Sequence, residues 1–131
     1  MAIQPIELIL GRQFIDGLSM PVFLVDPEGN LLFYNEPAEE ILGIRFGETG
    51  SMPVEEWSTI FKPTDIEGNP LPPESLPLVQ TLTHHKPAQG SFYIDNLKGE
   101  KHLINVSAIP IEGRPKRFLG AMALFWNSNF S

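Results

Sequence analysis

Residues 23–43 read FLVDPEGNLLFYNEPAEEILG, and the fold turns on this stretch. Val22 to Val25 and Leu31 to Tyr34 are short apolar runs with strand composition, and Pro27 to Asn30 between them carries turn chemistry. Asn35 can accept a hydrogen bond from an early helical N–H, and Pro37 stands in a first turn, where no intrahelical donor is lost. Glu36, Glu39 and Glu40 suit the positive end of a helix, Ile41 and Leu42 can pack inward, and Gly43 stops it. The reading is strand, tight turn, strand, capped helix.

Upstream, residues 3–18 (IQPIELILGRQFIDGL) place Ile6, Ile9, Leu10, Phe14 and Leu18 at helical spacing, with Pro5 suited to the first turn. A helix there is a lid on the domain or a dimer contact. Downstream, residues 51–61 (SMPVEEWSTIF) predict a short helix with Val54, Trp57, Ile60 and Phe61 on one side and Ser51 as cap. Residues 73–85 (PESLPLVQTLTHH) predict the next helix, with Leu76, Val79, Leu82 and Thr83 spaced by threes and fours. Prolines crowd residues 36–77, so this centre is several short helical pieces.

Beyond Lys86 the period changes to two. Strands are expected over Ser91–Asn96, Lys101–Ile109 and Arg117–Trp126, with loops at Leu97–Glu100 and Ile111–Pro115. The last strand is apolar on both faces: Leu119, Ala121, Ala123 and Phe125 on one, Phe118, Met122, Leu124 and Trp126 on the other. Such a strand is normally covered on both sides. The central helices can cover one face; the other needs the N-terminal helix or another chain. The fold class is α+β, with one antiparallel sheet.

At 131 residues the chain is read as one domain, and 42% hydrophobic against 19% charged residues is a globular balance. No apolar run approaches a membrane span, and the absence of cysteine excludes disulfides, Cys-ligated metals and Cys-linked chromophores. The formal charge of −7 is uneven, with three basic and thirteen acidic residues through His85 but six basic and three acidic from Lys86. An acidic chain repels phosphate backbones, so nucleic acid is not an expected partner, and with no spanning run neither is a membrane. The expected compartment is the cytoplasm.

The segments Leu24-Val25-Asp26, Glu28-Gly29-Asn30 and Asn35-Glu36-Pro37-Ala38 through Gly43 together resemble the PAS domain, a small sensor module of bacterial signalling proteins. Glu67-Gly68-Asn69-Pro70-Leu71-Pro72 with Leu76-Pro77, Val106-Ser107-Ala108-Ile109-Pro110-Ile111, and Gly120-Ala121 extend the match in the same order, over about residues 18–126. The resemblance implies a five-stranded antiparallel sheet in spatial order 2-1-5-4-3, with short helices on one face. It divides the chain into a helical cap (1–17), a PAS-like sensor domain (18–127) and a tail (128–131).

It also implies a cavity between sheet and helices, with Val25, Ile41, Trp57, Phe61, Leu82, Phe92, Ile104 and Val106 as candidate lining. Small side chains at Ala108, Ala121 and Ala123 leave room for a small organic ligand, or else admit a closer helix and a filled core. His84 and His85 fall near the iron ligand of haem-binding members. Adjacent helical histidines point about 100° apart, so at most one faces a pocket, and both suit a helix C-terminus without metal. Haem ranks low, and a cysteinyl-flavin is excluded. Asp26 and Asn35 are read as structural, one fixing the turn and the other capping the helix.

The expected function is a non-enzymatic sensory or regulatory module, since no nucleophile and base are brought together. The alternative is a ligand-free dimerisation module. Either would use Ile6, Leu10 and Phe14 with Phe118, Met122, Leu124 and Trp126 as a dimer or partner face. A kinase or regulator is the expected signalling partner, in trans or in a longer chain. Trp126-Asn127-Ser128-Asn129 stands where PAS domains that drive a downstream helix carry Asp-Ile/Val-Thr.

Overall fold

The computed structural model describes residues 6–114 and 116–127. β1 (Val22–Val25) and β2 (Leu31–Tyr34) pair antiparallel, and α2 (Glu36–Leu42) follows at once. Asp26 closes the turn, its Oδ1 accepting from the N–H of Glu28 at 3.0 Å and of Asn30 at 2.9 Å. The same five-residue device recurs at Asp65–Asn69 and Asn96–Glu100, where the first side chain again accepts from the third and fifth N–H groups. The Asn69 N–H is the main reason that the Asp65 carboxyl lies below its ordinary pKa.

Asn35 does more than cap α2. It is fully buried, and its Oδ1 accepts from Ala38 N at 3.3 Å and from Val22 N at 3.0 Å. Its Nδ2 donates to the carbonyls of Ile15 at 3.0 Å and Met20 at 2.8 Å. One amide thus fastens α1 (Ile6–Asp16), its linker, β1 and α2 to the end of β2.

The centre departs from expectation in three places. A four-residue helix, α3 (Phe46–Thr49), precedes α4 (Val54–Trp57). Ser51 does not cap α4; its Oγ donates to Leu31 O at 2.7 Å, and Pro53 occupies the cap position. The predicted helix over 73–85 divides into a 3-10 turn, Pro73–Ser75, and α5 (Pro77–His84). The break falls at Leu76, held extended at φ −73° and ψ 138° by the proline that follows.

β3 (Ala88–Asp95), β4 (Lys101–Gly113) and β5 (Arg117–Asn127) complete the antiparallel sheet, in order β2-β1-β5-β4-β3. β3 begins earlier and β4 runs further than the alternation predicts. Both outer strands carry partners. Leu31 N in β2 donates to Met52 O at 2.7 Å, and Tyr93 in β3 exchanges two 2.9 Å bonds with Thr64. Asp95 N donates to Phe61 O at 2.8 Å.

The central strand β5 is covered on both faces. The helices α2 to α5 bury the larger core, which includes Ala121, Ala123 and Phe125. Leu8 and Ile15 of α1 pack on Val22, Leu24 and Leu119 on the other face, with Met122 and Leu124 partly buried beside them. These two contacts leave the broader apolar stripe of α1 outward, with Ile6 66%, Ile9 47%, Leu10 55% and Phe14 65% exposed.

Phe118 is not on that second face. β4 and β5 shift register so that Ile111 pairs with Gly120 but Glu112 with Phe118, leaving Leu119 as the extra residue. Leu119 therefore turns toward α1, and Phe118 stacks on His85 at the end of α5, with centroids 3.8 Å apart and planes within 6°. Gly120 permits the bulge: its φ is +144°, and a Cβ there would strike the Val25 carbonyl oxygen. Pro5, Pro115 and the tail over residues 128–131 lie outside the described residues.

Asn35→Ala should lower unfolding free energy by about 2–4 kcal/mol, since the Val22 N–H and the Ile15 and Met20 carbonyls, besides the α2 cap, lose their partner. Urea melts monitored at Trp57 and Trp126 would measure it, and a loss under about 0.5 kcal/mol, the size of an ordinary surface change, would contradict this role. Gly120→Ala should cost roughly 2–4 kcal/mol through strain at the bulge, whereas Gly47→Ala, with open space around it and no positive φ, should stay within about 1 kcal/mol.

Candidate functional site

Between the sheet and the central helices lies a cavity of about 90 Å³. The sheet contributes Phe23 of β1, Phe92 and Ile94 of β3, Ile104 and Val106 of β4, and Ala123 and Phe125 of β5. These residues share one face because side chains alternate along each strand. The opposite wall is Leu42 of α2, Trp57 and Ser58 at the end of α4, then Phe61 and Pro63, and Leu76 to Leu78 at the start of α5. Among the described residues no ionisable side chain lines it, and the Trp57 indole N–H is already spent on Gly29 O at 2.7 Å.

Of the eleven residues expected to line a cavity, Trp57, Phe61, Phe92, Ile104, Val106 and Ala123 do so. Val25, Ile41, Leu82, Ala108 and Ala121 do not. Val25 and Ala121, paired with each other, lie two residues beyond the lining pair Phe23 and Ala123, while Ile41 and Leu82 belong to helices α2 and α5. Thr81 of α5 donates to Ala108 O at 3.5 Å, so the small residue on β4 admits a close helix, while Ala123, its direct partner on β5, opens on the void. The two readings of the alanines thus apply side by side, on neighbouring strands. Phe125 and Ile94 share parity with Ala123 and Phe92 and were legible from alternation; Pro63 and Ser58 depend on chain-distant packing and left no local signal.

His84 and His85 are both exposed, and neither lines the cavity. His85 instead terminates α5 in the left-handed region, φ +58°. Among the described residues, no three His, Asp or Glu side chains gather as a metal site.

A run of ring contacts leads from the cavity to α1. Phe23 meets Trp57 edge-on at 5.6 Å and stacks on Tyr34 at 5.7 Å. Phe46 lies edge-on to both Tyr34 and Phe33 at 5.4 Å, reaching round β2. The Arg12 guanidinium sits 4.6 Å from the Phe33 centroid and 5.8 Å from that of Phe46. Burial is the main cause pushing the Tyr34 phenol above its ordinary pKa; its hydroxyl donates to Ile44 O at 2.9 Å.

The PAS domain family model matches residues 12–77, half of the chain. The chain belongs to the PAS family. Among solved structures, this PAS domain is similar to the PAS domain of a protein from Colwellia psychrerythraea, at 14% identity and a TM-score of 0.64, covering 92% of this chain and 95% of that one. It is similar to the PAS domain of Bordetella pertussis BvgS, at 16% identity and a TM-score of 0.62, covering 92% and 84%. The PAS domain of the fruit-fly ELK potassium channel is similar at 10% identity and a TM-score of 0.73, covering 92% and 96%. At these identities the shared property is the fold. Comparison with curated proteins finds none that matches.

Replacing Ala123 by Leu puts an isobutyl group into the cavity and should change stability by less than about 1.5 kcal/mol, because the branch meets space rather than packed atoms. Thermal melts beside Ala121→Leu, at a fully buried site outside the cavity, test this: the second variant should lose clearly more.

Proposed function

We propose that this PAS domain is a sensory or regulatory module that binds a small molecule in the cavity and passes its state to a protein partner. The supporting observation is the apolar void itself, walled by five aromatic rings and four strands and helices of independent origin. Interiors pack closely by default, so a void kept between sheet and helices is a functional candidate. Its size accommodates neither haem nor a flavin as it stands; a small organic ligand fits best. The ring contacts to Arg12, together with the Asn35 bonds, join the void to the helix that carries the outward apolar stripe.

The signalling partner under this reading is a second copy, with a kinase or regulator in trans or in a longer chain. Ile6, Leu10 and Phe14 supply the contact, extended by Trp126 and the partly covered Met122 and Leu124. The working compartment is the cytoplasm, with no enzymatic step; no described helix is long and apolar enough to cross a membrane. The exposed stripe also favours a second reading, a dimerisation module that needs no ligand.

Native mass spectrometry of protein purified from its own host separates the readings. The sensor reading expects a stoichiometric small molecule released on unfolding; a clean apo dimer favours the interaction module. Phe14→Glu should convert a dimer to monomer by light scattering with little change in melting temperature, because Phe14 is exposed and outside both cores. A wild-type chain that is monomeric at high concentration would remove this face from the proposal.

A further inference from the structure

Among the described residues of the cavity wall, Ser58 carries the one hydroxyl. It is 2% exposed, and its Oγ has no hydrogen-bond partner among the described residues. Its own backbone N–H is already bonded to Val54 O at 3.0 Å. A buried hydroxyl in this condition calls for a partner, because native interiors pair nearly all such groups. The Oγ is recessed behind an almost wholly apolar cavity surface, so ordered water is a poor answer, since a buried water needs two to four polar contacts.

We infer that Ser58, turned about χ1 so that its recessed hydroxyl meets the cavity, is the hydrogen-bonding anchor for an uncharged, mainly apolar ligand with one polar atom, of the phenol or small alcohol class. The inference rests on the cavity reading above and specifies its ligand. Aromatic rings of Phe23, Trp57, Phe61, Phe92 and Phe125 suit a flat apolar body. With no cation among the described lining residues, carboxylates and phosphates fit poorly, since nothing in that wall offsets their desolvation. The hydroxyl can donate or accept, so it takes either an O–H or a carbonyl. The volume of about 90 Å³ sets the scale at or below a single six-membered ring, smaller than the engineered cavity of about 150 Å³ known to hold benzene.

The test uses three probes of one shape on the full chain, refolded to remove any copurified molecule: benzene, phenol and benzoate. Amide and Trp57 indole shifts are followed by two-dimensional NMR. Phenol should bind several-fold more tightly than benzene, and benzoate should not bind. Ser58→Ala should lower phenol affinity about five- to tenfold, to the level of benzene, and leave benzene unchanged. Ala123→Leu should abolish both. The Ser58→Ala chain should melt no lower than wild type without ligand, since it sheds an unpaired hydroxyl.

Phenol affinity indifferent to Ser58→Ala overturns the anchor and leaves the cavity reading standing. Benzoate binding more tightly than phenol overturns the neutral class. Failure of all three probes, with an adduct found by native mass spectrometry, also overturns the class alone. Failure of all three with no adduct overturns the inference and the sensor reading together.

Discussion

The buried amide of Asn35 is the constraint on which the remaining architecture depends. A primary amide has two donors and two acceptor directions, and leaving any unmet in an apolar interior costs more than a bond gains. Here each goes to a different place: α1, the linker after it, the first residue of β1 and the first turn of α2. Geometry at one side chain thereby sets where the hairpin ends, where the helical wall begins and how the N-terminal helix lies on the sheet. That helix is thus part of the domain's covalent and hydrogen-bonded frame, and its Leu8 and Ile15 complete the cover that the doubly apolar β5 requires.

What was legible in the sequence was what short-range chemistry decides. Asp26 to Asn30 could only be a turn, and Asn35 with Pro37 could only open a helix, so β1, β2 and α2 fall on the residues the pattern names. Pro77 was visible too, and its effect on Leu76 is why α5 is shorter than its apolar spacing suggests. The bulge was not legible. Gly120 marks a special backbone position, but only the approach of Val25 from another strand shows which side chains it redirects. The cavity's place along the sheet was hidden for the same reason. Alternation gives the face, whereas the point where α5 closes on β4 gives the depth, and that depends on residues far apart in the chain.

The aromatic contacts give the outer strand an unusual part. Phe33 and Tyr34, adjacent in β2, point to opposite faces, yet Phe46 touches both rings by wrapping round the strand. The two faces of the sheet are therefore in packed contact through a four-residue helix that no periodicity announced. On one side the contacts continue to the cavity through Phe23, and on the other they end under Arg12 of α1. Trp57 at the cavity and Arg12 on α1 thus border the same set of rings, the contiguous packing through which the transmission proposed above would have to run.

The bonds spent on the outer strands have a further effect. An unguarded outer strand invites a strand from another molecule, and repeated addition of that kind builds fibres. Met52 meets β2 at Leu31, and Thr64 and Phe61 occupy β3 at Tyr93 and Asp95. Growth by strand addition is blocked at those points, which leaves the helix and sheet face as the surface for the pairing proposed above. If output is read as one copy meeting another, as that proposal has it, the restriction matters: the number of chains in an assembly must be limited before it can carry information.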